Sequence, residues 1–128
     1  LFYFLGAKAY GEDVAIIETE MVKTSIWIKQ NTSENTVIAA HDIGALGYFS
    51  NRKIIDMAGL ITPETIPFIS DEKLMLVYIT KNNADYLMAF PSQYPELTEQ
   101  LTMVYTTGSN YSPSAGGQNM AVYRLPRE

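Results

Sequence analysis

The residues best equipped for chemistry form one cluster, His41-Asp42-Ile43-Gly44-Ala45-Leu46-Gly47-Tyr48. An imidazole beside a carboxylate offers acid–base catalysis, and a glycine-bearing turn into a helix offers backbone amides to an anion. A second acid, Asp56, ends the next strand, where a dinucleotide fold would place its ribose-binding carboxylate, but it arrives about a dozen residues on rather than roughly 20. The fingerprint fails: G-x-G-x-x-G is absent and only Gly44-x-x-Gly47 remains. Asp42 would also compete with a phosphate for the helix amides. The same residues have a structural reading. Asp42 caps a helix, Gly44 and Gly47 let that helix lie close to a sheet, and His41 bonds Asp42 or Asp56. One imidazole and two carboxylates fall short of a metal-ligand pattern, so no metal is assigned.

Other chemistries are weaker still. No G-x-S-x-G elbow is present, and Ser50, Ser92 and Ser114 all fall in loop sequence. Glu18 is the one carboxylate that helical periodicity turns toward an apolar face, near Lys29, and a paired structural role suits it best. Phe90-Pro91-Ser92-Gln93-Tyr94-Pro95 puts aromatics at a strand end, with Tyr94 the candidate to stack on a sugar. Asn31-Thr32-Ser33 and Asn110-Tyr111-Ser112 match the N-glycosylation pattern, which arises often by chance.

Composition narrows the field. The chain has 128 residues, no cysteine and one histidine, which excludes disulfides, thiol nucleophiles and multi-histidine metal sites. Apolar residues make up 47%, enough to build a core, so the chain is not intrinsically disordered. A net charge of −5 makes nucleic acid an unsuitable partner. No cofactor is expected.

The elements that must position the cluster follow from periodicity. Residues 11–30 read as a helix with Val14, Ile17, Met21 and Ile28 on one face and Ala15, Val22 and Ile26 widening it. Ile16 and Trp27 fall on its opposite side, about three turns apart, where they touch a partner or membrane-proximal protein or, the favoured reading, are covered by a loop. Thr36–Ala40 is an apolar, β-branched strand covered on both faces. Asp42–Phe49 is a short helix and Lys53–Asp56 a second strand. Pro63 opens a helical turn after Thr62, and Ser70 caps a helix through Ile79. Tyr86–Phe90 is a third strand, and 101–106 and 120–124 are two more, joined by a loop over 107–118. Strands alternating with helices predict a single three-layer α/β/α domain with a mostly parallel sheet. The last two strands, lacking a helix between them, form an antiparallel edge.

The chain opens Leu1-Phe2-Tyr3-Phe4-Leu5 without a methionine, and reads as a piece of a longer protein. This run is far too short to span a bilayer, which takes roughly 20 apolar residues, and it lacks the features of a signal peptide. It is either a buried strand or helix start, or, over residues 1–9, the stub of a transmembrane helix.

The stretch Ile38-Ala39-Ala40-His41-Asp42-Ile43-Gly44-Ala45-Leu46-Gly47-Tyr48-Phe49 resembles a segment of large bacterial membrane proteins. Asn31-Thr32, Ile55-Asp56-Met57-Ala58-Gly59-Leu60-Ile61-Thr62-Pro63-Glu64 and Asp85-Tyr86-Leu87 continue the likeness. Those proteins are similar to GT-C-type, dolichyl-phosphate-mannose-protein mannosyltransferase-like glycosyltransferases, with many transmembrane helices followed by a soluble C-terminal domain. The family's catalytic acid lies among its membrane helices, so the resemblance transfers no catalytic residue here. It implies a non-catalytic, extracytoplasmic, membrane-attached domain, partnered by the transmembrane portion of its own chain and by a saccharide or lipid-linked sugar. Only Lys8 is basic among the first 20 residues, which suits the outer face of a membrane. His41, Asp42, Gly44, Asp56 and Tyr94 are the expected ligand-binding residues. The rival reading is a free-standing nucleotide- or sugar-binding protein, or an enzyme, using the same crevice.

Overall fold

The computed structural model describes residues 2–127; Leu1, the first residue of the expected stub, lies outside the described residues. A five-stranded sheet has the order β2-β1-β3-β5-β4. Its strands are β1 (Val37–Ala40), β2 (Lys53–Asp56), β3 (Tyr86–Ala89), β4 (Thr102–Thr106) and β5 (Ala121–Arg124). β1 pairs in parallel with β2 and β3, while β5 runs antiparallel to both β3 and β4. The expected antiparallel pair therefore closes one edge, with the reversed strand β5 lying between β3 and β4.

The strand boundaries follow from covering on both faces. Val37 to Ala40 are all buried, as a central parallel strand between two helix layers requires. Ile28, Ile38, Ala40, Leu46, Met88, Met120 and Val122 form the core on one face, beneath helices α2 (Lys23–Asn31) and α3 (Gly44–Phe49). Val37, Ala39, Ile55, Met75, Ile79, Leu87 and Leu97 form the other, beneath α4 (Glu72–Lys81) and α5 (Pro95–Gln100). This is the three-layer α/β/α arrangement, and α3 and α4 cross over on opposite faces.

The first helix differs most from its periodicity. It starts at Phe2 as α1 (Phe2–Ile16), passes through a π-helical turn (Ile17–Val22) and continues as α2. Val14, Ile17 and Ile26 are exposed, and the buried positions are Glu20, Val22, Thr24, Ser25 and Ile28. Glu18 is exposed, correcting its expected place on the apolar face. A π turn carries more residues than an α turn, so a pattern read at 3.6 residues per turn falls out of phase across it. Thr24 and Ser25 are tolerated inside because their hydroxyls donate to the Glu20 and Met21 carbonyls, at 2.6 and 2.7 Å. Trp27 is covered not by a loop but by β4, stacked on Tyr105 with ring centroids 4.5 Å apart.

Two contacts fix the direction of this helix. Near its end, Arg52, just ahead of β2, donates to the carbonyls of Lys29 and Thr32 at 2.9 and 2.7 Å. Further up, Glu20 accepts from the Met120 amide, just ahead of β5, at 2.8 Å. The helix thus runs against the parallel strands, and α1 projects past their carboxyl ends, where none of its residues is buried.

Two smaller expectations change. Asp71, rather than Ser70, caps α4, its carboxylate accepting from the Leu74 amide at 3.0 Å. The loop over 107–118 contains a short helix, α6 (Tyr111–Ser114).

Candidate functional site at the carboxyl end of the sheet

β1 is the strand at which the winding of the sheet reverses, since β2 lies on one side of it and β3 on the other. Open α/β sheets bind ligands in the crevice outside the carboxyl ends of their strands at such a point. His41 and Asp42 leave β1 there, and the turn Pro91–Gln93 and Tyr94 leave β3.

Here the crevice is bridged by side chains. His41 Nδ1 lies 2.8 Å from Tyr94 Oη, and Gln93 Nε2 donates to Asp42 Oδ2 at 2.8 Å. Gln93 is held in turn, because its Oε1 accepts from the Phe90 amide at 2.9 Å while its own amide donates to the Phe90 carbonyl. Phe90, ahead of this turn, and Gln93 in its third position make a reciprocal cap, with Pro91 at the turn's first position. Asp42 does not cap α3, whose preceding residue Ile43 makes no side-chain cap. His41 bonds neither Asp42 nor Asp56; its Nδ1 pairs with Tyr94 instead.

Tyr94 is 4% exposed. Burial, then the nearby carboxylates of Asp42, Glu72 and Asp56, push its phenol up from 10.0 to about 12, so it stays a neutral hydrogen-bonding group. A side chain so covered offers no free face for stacking on a sugar, which corrects the expectation placed on it. Glu72 is itself engaged, accepting from the Leu97 amide at 2.8 Å.

Asp56 is drawn into a different task. It is fully buried, and its two carboxylate oxygens accept from the Ala58 and Ile61 amides, both at 2.9 Å. Its amide donates to Thr62 Oγ1 at 3.0 Å, and its carbonyl accepts from Thr65 Oγ1 at 2.8 Å. Asp56 thus shapes the loop after β2 and presents no free oxygen to a ligand. Gly59 in this loop needs a positive φ of 81°, and a Cβ there would meet Ile66 at 2.6 Å.

Gly44 is exposed, and an added Cβ would meet nothing within 4 Å; at Gly47 the nearest atom would be Ile54 Cδ1 at an ordinary 3.7 Å. Neither glycine is there for close packing, contrary to expectation. The crevice therefore unites His41, Asp42 and Tyr94, with Gly44 at its rim and Asp56 beneath. Gln93 completes it and was not singled out from the sequence, although the Pro-x-Gln cap is legible there.

Among the described residues no three His, Asp or Glu side chains converge as metal ligands. The surface concavities beside Thr80, Asn83, Asp85 and Arg127, and beside Arg124 and Pro126, lie at the amino ends of the strands, away from this crevice.

Glu20 is a second polar centre that periodicity missed. It is fully buried and accepts from Asn119 Nδ2 at 2.9 Å, from the Met120 amide at 2.8 Å and from Thr107 Oγ1. Burial of the Tyr105 phenol, and then the nearby Glu20 carboxylate, push that phenol above its ordinary range.

A family model described as a domain of unknown function, DUF8728, matches residues 12–123, and the chain belongs to that family. No curated protein and no solved structure matches it.

Proposed function

We propose that this chain is the non-catalytic, extracytoplasmic domain of a polytopic bacterial membrane protein related to lipid-linked-sugar glycosyltransferases. The observation that carries the proposal is α1. Phe2, Tyr3, Phe4 and Leu5 are 90, 84, 78 and 58% exposed at the start of a helix none of whose residues is buried. Aromatic and apolar side chains clustered at one helix end suit the interfacial layer of a bilayer, where their rings are partly desolvated. No described helix is long and apolar enough to cross a membrane, so Phe2–Leu5 enter this reading as the interfacial end of the stub. The resemblance to GT-C-type proteins supplies the kind of parent.

In this reading the carboxyl end of the sheet turns toward the membrane, because α1 leaves from that end. His41, Asp42 and Gln93 then face the membrane portion of the same chain, where they help position an acceptor or a lipid-linked sugar. The bridged crevice supports positioning over catalysis, since Tyr94 and Asp56 are both committed to holding it together. The rival, a free-standing enzyme or nucleotide-binding protein, needs those groups free.

Fractionation of the cells that make the protein tests this. The native protein is expected to sediment with membranes and to stay there after alkaline carbonate extraction. Recovery in the soluble fraction would overturn the proposal.

A further inference from the structure

The turn Ile17–Val22 stands where the projecting half of a long helix meets its packed half. Such a turn interrupts the regular hydrogen-bond ladder and is one of the few identifiable causes of a helix bend. Around it, Thr19, Thr24 and Ser25 all donate their hydroxyls to carbonyls one turn back, at 2.6, 2.6 and 2.7 Å. Back-bonding of this kind further weakens the straight α-helical ladder. Side chains thus take up carbonyls that a continuous α-helix would leave to its own amides.

Within this same turn lies Glu20, the one turn residue besides Val22 that is buried. It holds three donors, all from the segment between β4 and β5: Thr107, Asn119 and Met120. Asn119 also donates to the Ser109 carbonyl at 2.8 Å, so the segment is tied to itself as well as to the helix. No core demands a carboxylate here, and an apolar residue could fill the space without needing three polar partners.

We infer that Ile17–Val22 is a hinge between α1 and the domain, and that Glu20 is the latch that holds it in one position. Releasing the carboxylate loosens the direction of α1 and the β4–β5 segment together, because its three bonds tie the turn to that segment, which α1 also touches at α6. The inference goes beyond membrane attachment and stands on the contacts of Glu20, whatever α1 enters.

The absence of cysteine allows a direct test in the full 128-residue chain. Spin labels on Ala9→Cys in α1 and Lys53→Cys at the start of β2, both exposed positions, report the direction of α1 by electron–electron dipolar spectroscopy. With Glu20 intact, one narrow distance population is expected. In Glu20→Gln, whose amide nitrogen cannot accept, the population broadens or splits, while the resonances of the lone His41 stay at their native positions. Paired Thr107→Val and Asn119→Ala changes keep Glu20 but remove two of its donors, and are expected to broaden the population likewise. They decide the question by the same reading if Glu20→Gln does not fold. An unchanged narrow population in the folded variants would overturn the hinge and latch.

Discussion

Replacing Asp56 by asparagine separates a loop-shaping acid from a ligand-binding one. Both of its carboxylate oxygens accept backbone amides at 2.9 Å, and the side chain is fully buried. Asparagine keeps one acceptor oxygen and turns an NH2 group against the other amide, leaving a buried donor unpaired, at a cost of about 1–3 kcal/mol. The remaining bond also loses its charge assistance, worth about another 1 kcal/mol. Asp56→Asn should therefore lower the unfolding free energy by about 2–4 kcal/mol. Asp42 is half-buried and makes one bond, to Gln93, which water can replace, so Asp42→Asn should cost less than about 1 kcal/mol. Urea unfolding followed by the fluorescence of the single tryptophan, Trp27, which stacks on Tyr105, measures both. In thermal unfolding, a domain of this size should show the two variants differing in Tm by several degrees, at about 3–5 °C per kcal/mol. An acid poised for a ligand is not needed for stability, so a neutral or stabilising Asp56→Asn would refute the loop-shaping role. An Asp42→Asn costlier than Asp56→Asn would refute it equally.

Three further outcomes follow from the same contacts. Arg52 donates to the carbonyls of Lys29, Thr32, Ser50 and Asn51 and to Thr32 Oγ1, stapling the end of α2 to the turn before β2. Arg52→Ala should lose about 2 kcal/mol by chemical unfolding, and Arg52→Lys, with a single ammonium, should recover less than half of it. Tyr94 is harder to ionise in the folded chain, at about 12, than in the unfolded one, near 10. Its contribution to stability is then fully present below pH 10 and falls as pH rises toward 12; ultraviolet titration and unfolding curves should show this, and Tyr94→Phe should abolish its share of the fall. Gly59→Ala combines a φ of 81° with a Cβ 2.6 Å from Ile66, so it should lower stability by about 1 kcal/mol or more in the same unfolding assay.

Elements covered on both faces were legible because their composition shows it: Val37–Ala40 and Tyr86–Ala89 are short apolar runs between turn residues. Their alternation with helices was enough for the three layers, and the missing helix between the last strands was enough for the antiparallel edge. The first helix was not legible in phase, because a π turn leaves no mark in a 3.6-residue pattern and Thr24 and Ser25 do not read as core. The crevice was legible in place, since His41 and Asp42 follow β1, but not in state. Which partner His41 takes depends on a contact between β1 and β3 loops that lie 53 residues apart. Asp56 read as a ligand acid because a strand-end carboxylate looks the same whether it faces a crevice or its own loop. Only the positions of the Ala58 and Ile61 amides separate the two.

Attachment to the outer side of a membrane is tested most directly by labelling one introduced cysteine in living cells. Ser33→Cys, exposed between α2 and β1 in an otherwise cysteine-free sequence, gives the protein's native gene a single thiol within this domain. A membrane-impermeant maleimide should label it in intact cells as fully as after lysis, on a protein that sediments with the membranes. Labelling only after lysis, or a labelled protein free of the membrane fraction, would contradict an extracytoplasmic, membrane-attached domain.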